Sequence, residues 1–231
     1  MSGSTNKQPD ETEEVRILLV DDHPLVRLSL REVLRREPNL TVCGEAEDRE
    51  QALELVATTK PHLAVVDLTL KSSSGLDLIK DLQERFPKVQ VLVLSMHDET
   101  LHAERAIRAG ARGYITKQEA AKKIMVAIHQ VLSGEIYWSE RAAAKVASKV
   151  ARGSNHAGSS PVELLADREL QVFELIGAGQ STRQIAATLH INVSTVETYR
   201  ARIKEKLNLE DSIALLQFAI RWHIASSRGS E

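Results

Sequence analysis

Short apolar runs alternate with amphipathic segments between residues 16 and 133. Five of the runs have the length and composition of buried strands, and they cover residues 17–20, 40–43, 63–66, 89–94 and 113–116. After each run, apolar residues recur at helical spacing, at residues 25–36, 49–59, 76–86, 101–109 and 118–132. Strands that are apolar along their whole length are typical of parallel sheets covered by helices on both faces. The pattern therefore predicts an α/β domain with a five-stranded, parallel, doubly wound sheet.

Polar side chains stand directly after four of the five predicted strands. They are Asp21, Asp22, Asp67, Ser95 and Lys117. Because sites in open parallel sheets form beyond the carboxyl ends of the strands, we expect these five residues to converge. Clustered carboxylates hold a hard cation such as Mg²⁺ or Mn²⁺, which allows an incoming phosphoryl group to approach and one carboxylate to attack phosphorus. Since a lysine ammonium and a hydroxyl bind phosphoryl oxygens, the pattern predicts phosphorylation of an aspartate.

From residue 162 onward the pattern is wholly helical. A first helix is predicted at residues 164–177, where Gly177 begins a glycine-rich stop. Ser181 is predicted to N-cap a short second helix, and Ser194 is predicted to N-cap a third after a turn. The spacing therefore predicts a small, all-α domain of the helix-turn-helix kind.

The third predicted helix has two different faces. The apolar face is predicted to point into the core and carries Val196, Tyr199, Ile203 and Leu207. The outer face mixes small, polar and basic residues, as insertion into the major groove of DNA requires. It carries Thr198, Ala201, Lys204 and Glu205, and it is flanked by Glu197, Arg200 and Arg202. A solvated helix face is the alternative, because residues 164–231 contain eight basic and eight acidic residues. These residues alone leave both interpretations open.

The composition excludes several classes of protein and several kinds of site. The net charge of -2 gives no global positive field, so any DNA binding must come from a local patch. The only cysteine, Cys43, excludes an internal disulfide framework and a cysteine zinc site, and it suits a reducing cytoplasm. No apolar run approaches the roughly 20 residues that span a bilayer. We therefore expect a cytoplasmic protein without membrane contact.

Two polar segments separate and precede the domains. Residues 1–14 are polar and acidic, which predicts a disordered tail. Residues 134–163 predict a linker that is helical at first and then flexible, where Gly and Ser accumulate. This division places the α/β domain at residues 15–133 and the helical domain at residues 164–231.

The first domain resembles the receiver domain of two-component response regulators. The resemblance rests on Val20-Asp21-Asp22-His23, Val66-Asp67-Leu68, Leu94-Ser95-Met96-His97-Asp98-Glu99 and Gly113-Tyr114-Ile115-Thr116-Lys117. It implies a flavodoxin-like fold in which a sensor histidine kinase phosphorylates Asp67. The implied metal ligands are Asp21, Asp22, Asp67 and the backbone carbonyl of Thr69. Ser95 and Lys117 are implied to bind the phosphoryl group, and Tyr114 is either an aromatic switch or a packing ring.

The second domain resembles the LuxR-type DNA-binding domain. The matching motifs are Leu165-Ala166-Asp167-Arg168-Glu169, Gly179-Gln180-Ser181-Thr182-Arg183-Gln184-Ile185-Ala186, Ser194-Thr195-Val196-Glu197-Thr198-Tyr199-Arg200 and Lys206-Leu207-Asn208-Leu209. Together the two resemblances indicate the NarL/FixJ family, in which phosphorylation favours a homodimer that binds double-stranded promoter DNA. They imply that residues 195–207 form the recognition helix, which adds Thr195 to the candidate DNA contacts. They also imply that residues 212–224 dimerise through Ile213, Leu216 and Ile220.

Two local expectations accompany this resemblance. Ala166 stands where the family usually has a threonine cap, so Asp167 is expected to take over that role. In the unphosphorylated state, the receiver is expected to cover the recognition helix.

Two other classes of protein share some of these features. A hydrolase with an aspartyl-phosphate intermediate needs an acid/base close behind the nucleophile and a substrate cap, but Thr69 stands two residues after Asp67 and no cap insertion exists. We therefore expect no enzyme activity beyond slow autodephosphorylation. A DNA-binding protein controlled by protein contacts alone would not need the complete acidic pocket.

Overall fold

The computed structural model describes residues 14–71, 73–96, 99–139, 143 and 161–228. Apart from Glu14, the predicted tail lies outside the described residues, and so does most of the predicted linker. Within the described ranges, no helix combines the length and the apolar character needed to cross a membrane.

The first domain alternates strands and helices in the predicted order. Its elements are β1 (Val15–Val20), α1 (Pro24–Leu34), β2 (Leu40–Ala46), α2 (Arg49–Thr59), β3 (Leu63–Val66), β4 (Thr69–Leu70), β5 (Ser73–Ser74), α3 (Gly75–Arg85), β6 (Gln90–Ser95), α4 (Glu99–Ala109), β7 (Gly113–Thr116) and α5 (Lys117–Leu132). The five longer strands are parallel, in the order β2-β1-β3-β6-β7 across the sheet. This order confirms the doubly wound, flavodoxin-like sheet.

Helices cover both faces of the sheet. On one face, α1 and α5 bury residues such as Leu34 and Ile128 against Leu19 of β1. On the other face, Leu82 of α3 packs in one cluster with Val66 of β3. Successive side chains of a strand point to opposite faces, so each strand supplies both layers and is apolar throughout. Each fully buried leucine stabilises the fold by about 2 kcal/mol relative to an exposed one.

A small hairpin, not predicted from the sequence, lies between β3 and α3. β4 pairs with β5 in the antiparallel direction. The chain then returns to β3, where the Gly75 N–H donates a hydrogen bond to the Leu68 carbonyl at 2.9 Å. A Cβ atom on Gly75 would lie only 2.0 Å from the carbonyl oxygen of Asp67. Glycine is therefore required by this close approach of two backbone segments.

We expect Gly75→Ala to lower the free energy of unfolding by about 2 kcal/mol, because backbone atoms cannot move away from the new methyl group. Denaturant titration of the full chain measures this loss. Gly44→Ala is the matched control, since the atoms nearest to its Cβ belong to the side chains of Leu18 and Leu55, at 3.1 Å or more. Equal losses in the two variants would contradict the close-approach argument.

Within its described residues, the second domain consists of helices joined by turns. A 3₁₀-helix (Pro161–Leu164) precedes α6 (Asp167–Gly177), α7 (Thr182–Thr188), α8 (Val193–Lys206) and α9 (Ser212–Arg228). Phe173 of α6 lies at the centre of the core, and its ring centroid is 5.9 Å from that of Phe218 and 5.5 Å from that of Trp222. Lys206 Nζ lies 2.7 Å from Glu169 Oε2. This ion pair ties the end of α8 to the start of α6.

The predicted cap of α8 is wrong by two positions. Asn192 is the N-cap, and Ser194 lies inside the first turn of the helix. The backbone N–H groups of Thr195 and Val196 both bond to the Asn192 carbonyl. The recognition helix predicted at residues 195–207 therefore starts at Val193, because the turn after α7 closes earlier than its composition indicates.

The predicted cap of α6 is also wrong. Ala166 remains the N-cap although its side chain makes no hydrogen bond, and Asp167 is the first helical residue. Glu169 compensates, because its carboxylate accepts a hydrogen bond from the Ala166 N–H at 2.7 Å. The Asp167 carboxylate is instead engaged by Arg105 of the first domain, with Oδ1 2.8 Å from Nη1.

Candidate functional site

The strand ends bring two aspartates and a lysine into direct contact. Val20 of β1 pairs with Val66 of β3, so the residues that follow them, Asp21 and Asp67, are neighbours at the edge of the sheet. Both are buried, with 2% and 3% exposure. Lys117, the first residue of α5, places its Nζ 2.7 Å from Asp21 Oδ2 and 2.7 Å from Asp67 Oδ2. These three residues therefore lie together, as the strand pattern predicts.

Burial and charge determine the protonation of this pocket. Burial raises the pKa of Asp67 to about 6, although the nearby Lys117 opposes the shift. Burial alone would lower the pKa of Lys117, but the carboxylates of Asp67 and Asp21 outweigh it and raise that pKa above its usual value. At neutral pH, one ammonium thus compensates only part of the negative charge that the carboxylates carry.

Asp22 and His23 complete an acidic cluster with Asp21 and Asp67. One potential ligand atom from each of the four lies within 4.8 Å of the others. Asp21 Oδ2 and Asp22 Oδ1 are buried and accept no well-aligned hydrogen bond from the described residues, although Lys117 and His23 lie beside them. Carboxylate oxygens with spare accepting capacity are the ligands that Mg²⁺ prefers. The residues present therefore fit a divalent cation.

Two pocket residues are not predicted from the sequence as functional. His23 Nδ1 lies 2.6 Å from Asp22 Oδ1. Arg27 is mostly buried and donates from Nη1 to the Asp21 carbonyl at 2.5 Å and from Nε to Glu45 at 3.1 Å. The position of His23, directly after the aspartate pair, is a signal that could have identified it. Arg27 gives no such signal, because its contacts depend on how β1 and β2 are aligned.

Three further predicted residues lie at or near this edge of the sheet, and one of them, Thr69, donates a backbone hydrogen bond to the Asp67 carboxylate. Ser95 ends β6, is fully buried, and pairs with Thr116 of β7. Tyr114 is 1% exposed and packs within the apolar layer that also contains Leu82. Thr69 begins β4, two residues after Asp67. A packing role accounts for the burial of Tyr114, while its switching, the Ser95 contact to phosphate and the Thr69 carbonyl ligand stay predictions.

We expect the affinity for Mg²⁺ to fall about tenfold between pH 7 and pH 5, because protons compete with the cation for Asp67 below its pKa of about 6. Calorimetric titration of the full chain with Mg²⁺ at several pH values measures this dependence. Asp67→Asn is the control and should lose the component centred near pH 6. A constant affinity across this range in the parent protein would contradict the expectation.

The outer face of α8 is open to solvent. Glu197, Thr198, Ala201 and Arg202 are exposed, whereas Thr195, Arg200 and Lys204 are half-buried. Thr182 at the start of α7 donates to Glu197 Oε1 at 3.0 Å and accepts from Arg200 Nη1 at 3.2 Å. On the inner face, Val196 and Ile203 are buried, and Tyr199 and Leu207 pack against them. The division of the helix into an apolar and a polar face is thus as predicted.

An apolar row on α9 is also exposed. Ile213, Leu216 and Ile220 are 66%, 42% and 36% exposed, respectively. Leu215 and Ala219, on the other side of the helix, are fully buried in the core. The helix therefore has two apolar faces, and only one of them is covered by its own domain.

Two sequence profiles match the chain. The profile of the response regulator receiver domain matches residues 17–129, and that of the LuxR family of bacterial regulatory proteins matches residues 163–219. The response regulator GacA of Pseudomonas aeruginosa is 32% identical over 90% of this chain and 96% of its own length. The uncharacterized transcriptional regulatory protein YxjL of Bacillus subtilis is also 32% identical, over 90% of this chain and 96% of its own. This chain belongs to the NarL/FixJ family of response regulators.

Solved structures of related response regulators have the same fold. A LuxR-family response regulator from Aurantimonas sp. SI85-9A1 is 33% identical, covers 60% of this chain and 99% of its own, and superposes with a TM-score of 0.55. RcsB of Salmonella enterica serovar Typhimurium, bound to promoter rprA with a beryllofluoride phosphomimetic, covers 90% of this chain and 98% of its own, with a TM-score of 0.58. At 23% identity, RcsB shows the fold alone. The response regulator described here therefore joins a receiver domain to a LuxR-type DNA-binding domain, as two-component transcriptional regulators do.

Proposed function

We propose that a sensor histidine kinase phosphorylates this response regulator on Asp67. The observation that carries the proposal is the contact between Asp67 and Lys117 in a buried pocket at the carboxyl edge of the sheet. A phosphoryl group on Asp67 Oδ1 would leave Lys117 within reach of its oxygens. The hydroxyl of Ser95, at the end of the neighbouring strand, is the second candidate to bind those oxygens.

A divalent cation, Mg²⁺ or Mn²⁺, would be held by Asp21, Asp22, Asp67 and the backbone carbonyl of Thr69. When bound, it would neutralise charge between the carboxylates and the phosphoryl oxygens. The protein's own residues set the rest of the geometry, because Arg27 holds the Asp21 carbonyl and Lys117 holds both buried carboxylates. The spare accepting capacity of the aspartate oxygens supports this assignment.

The phosphorylated protein would bind double-stranded promoter DNA as a homodimer. The exposed outer face of α8, with its mixture of small, polar and basic side chains, supports insertion into the major groove. The exposed row of Ile213, Leu216 and Ile220 on α9 supports a two-fold contact between DNA-binding domains. A two-fold dimer would place two copies of α8 on an inverted repeat.

Enzymatic turnover is not expected beyond slow autodephosphorylation. A phosphohydrolase places a general acid/base close behind its nucleophile, whereas the residue two positions after Asp67 is Thr69, at the start of the short hairpin. Incubation with phosphate monoesters should therefore release no phosphate above background.

Selection of binding sites from a random DNA library tests the proposed function. It is carried out on the full chain with and without beryllofluoride and Mg²⁺, which together mimic the aspartyl phosphate. Enrichment of an inverted repeat only with the mimic is the expected result. Equal enrichment in both conditions would contradict control by phosphorylation, and no enrichment in either would contradict sequence-specific DNA binding.

A further inference from the structure

The DNA-binding domain docks on the receiver through its first helix, α6. Arg105 of α4 donates from Nη1 to Asp167 Oδ1 at 2.8 Å and from Nη2 to the Leu165 carbonyl at 2.7 Å. On the same helix, the buried His102 places Nε2 2.8 Å from Glu174 Oε1. Ion pairs and hydrogen bonds of this kind gain strength where both partners are withdrawn from water. The α4–α6 contact is therefore a specific interface of partly or fully buried polar groups.

Two side chains of the DNA-binding domain reach from this interface to the phosphorylation pocket. Gln171 of α6, only 2% exposed, donates from Nε2 to the Leu68 carbonyl at 3.2 Å. His190, in the turn between α7 and α8, places Nε2 3.4 Å from Asp22 Oδ2. Leu68 directly follows Asp67 in the chain, and Asp22 belongs to the acidic cluster. The second domain thus contacts the pocket at two points.

The backbone conformation of His190 is unusual. Its φ is +51°, a left-handed conformation that side chains other than glycine adopt at a cost. The residue is nevertheless directed at Asp22, whose other carboxylate oxygen already lies 2.6 Å from His23. Each carboxylate oxygen of Asp22 therefore has an imidazole nitrogen within 3.4 Å, and the His190 side chain is itself 45% exposed.

The family resemblance leads one to expect that the receiver covers the recognition helix, but here that helix is not covered. Glu197, Thr198, Ala201 and Arg202 on the outer face of α8 are exposed with both domains in place. The interdomain contacts described above are made by α6, which Arg105 and His102 contact, and by the turn before α8. What the docked domain approaches is the phosphorylation pocket.

We infer that the DNA-binding domain acts as a cap on the phosphorylation pocket, with His190 on Asp22 and Gln171 on the Leu68 carbonyl opposing metal binding and phosphorylation at Asp67. This inference rests on the proposed function. A cation that binds Asp22 through Oδ2 must displace His190, and a rearrangement of the chain after Asp67 must break the Gln171 hydrogen bond. Since coupling between two sites is reciprocal, whatever weakens the docking also favours the metal-bound, phosphorylated receiver. The DNA-binding domain would therefore set how readily its own receiver responds to a phosphodonor.

Removing the imidazole tests the cap in the full chain. We expect His190→Gly to bind Mg²⁺ about fivefold more tightly and to be phosphorylated by a small acyl phosphate about fivefold faster than the parent. Asn208→Gly is the matched control, because Asn208 is exposed, has a φ of +53° and lies at the other end of α8. Calorimetry with Mg²⁺ gives the affinity, and phosphate-affinity electrophoresis gives the rate.

Weakening the interface away from the pocket is the second arm of the experiment. Arg105→Ala should raise both quantities by a similar factor, while Arg108→Ala, an exposed arginine on the same helix, should leave them at the parental values. If Mg²⁺ affinity and phosphorylation rate increase with Arg105→Ala but not with His190→Gly, His190 is not the residue that opposes metal binding. Parental values in all four variants, with normal phosphorylation of the parent, would overturn the cap alone. Absence of phosphorylation in every protein would overturn the proposed function and the cap with it.

Discussion

Asp67→Asn should abolish phosphorylation by kinase or acyl phosphate and leave DNA binding indifferent to beryllofluoride. The amide nitrogen and oxygen of asparagine cannot form the acyl phosphate or the beryllofluoride adduct, because both require a carboxylate oxygen as the nucleophile. The fold should be retained, since Lys117 keeps its contact with Asp21 Oδ2 at 2.7 Å. A neutral side chain also avoids the cost of burying a charge, which is what raises the pKa of Asp67 to about 6. Phosphate-affinity electrophoresis and gel-shift titration of the full chain measure the two effects.

Asp77→Asn is the matched control for this prediction. Asp77 lies in the first turn of α3, its side chain is 52% exposed, and Lys80 is its one partner among the described ion pairs. The same chemical change there should leave phosphorylation at the parental level. Residual phosphorylation of Asp67→Asn at a comparable rate would assign the phosphoryl group to another carboxylate, and Asp21 or Asp22 would be the first to test.

Most of the fold follows from regular patterns in the chain. The strands β3 and β7 and the helix α2 have the predicted bounds, because each is a compact apolar or amphipathic segment between polar turns. The β4–β5 hairpin could not be predicted in this way. Its strands have two residues each, which is too short for any periodicity, and it exists because Gly75 lets the chain pass over the Asp67 carbonyl.

The residues of the candidate site likewise divide into those that the sequence could place and those that it could not. Asp21, Asp67 and Lys117 could be placed together from the sequence, because the carboxyl ends of parallel strands lie at one edge of the sheet whichever side chains they carry. Arg27 could not, since its contact with Glu45 of β2 forms only once β1 and β2 are aligned. Contacts made by docking two finished domains are still less visible in a sequence, and Gln171 shows why. It is a polar residue on a helix that looks ordinary, and its partner is a backbone carbonyl 103 positions away.

Ala201→Glu should reduce the affinity for promoter DNA by about 100-fold or more. Ala201 is exposed near the middle of α8, on the face that carries Thr198 and Arg202. A helix that lies in the major groove brings this position close to the bases and to the phosphates on either side, and placing like charges together costs several kcal/mol. The folded state should be unaffected, because the substituted position contributes nothing to the core around Phe173. Gel-shift titration of the beryllofluoride-activated protein on its selected site measures the loss.

The matched control is Ala57→Glu, which introduces the same charge on the exposed side of α2 in the receiver domain. It leaves the net charge of the protein equal to that of Ala201→Glu, so a general electrostatic repulsion from DNA would appear in both variants. We expect Ala57→Glu to bind within about twofold of the parent, since a single charge far from the groove is largely screened at physiological salt. Equal losses in the two variants would show that α8 does not enter the groove, and the solvated-helix interpretation of its outer face would then stand.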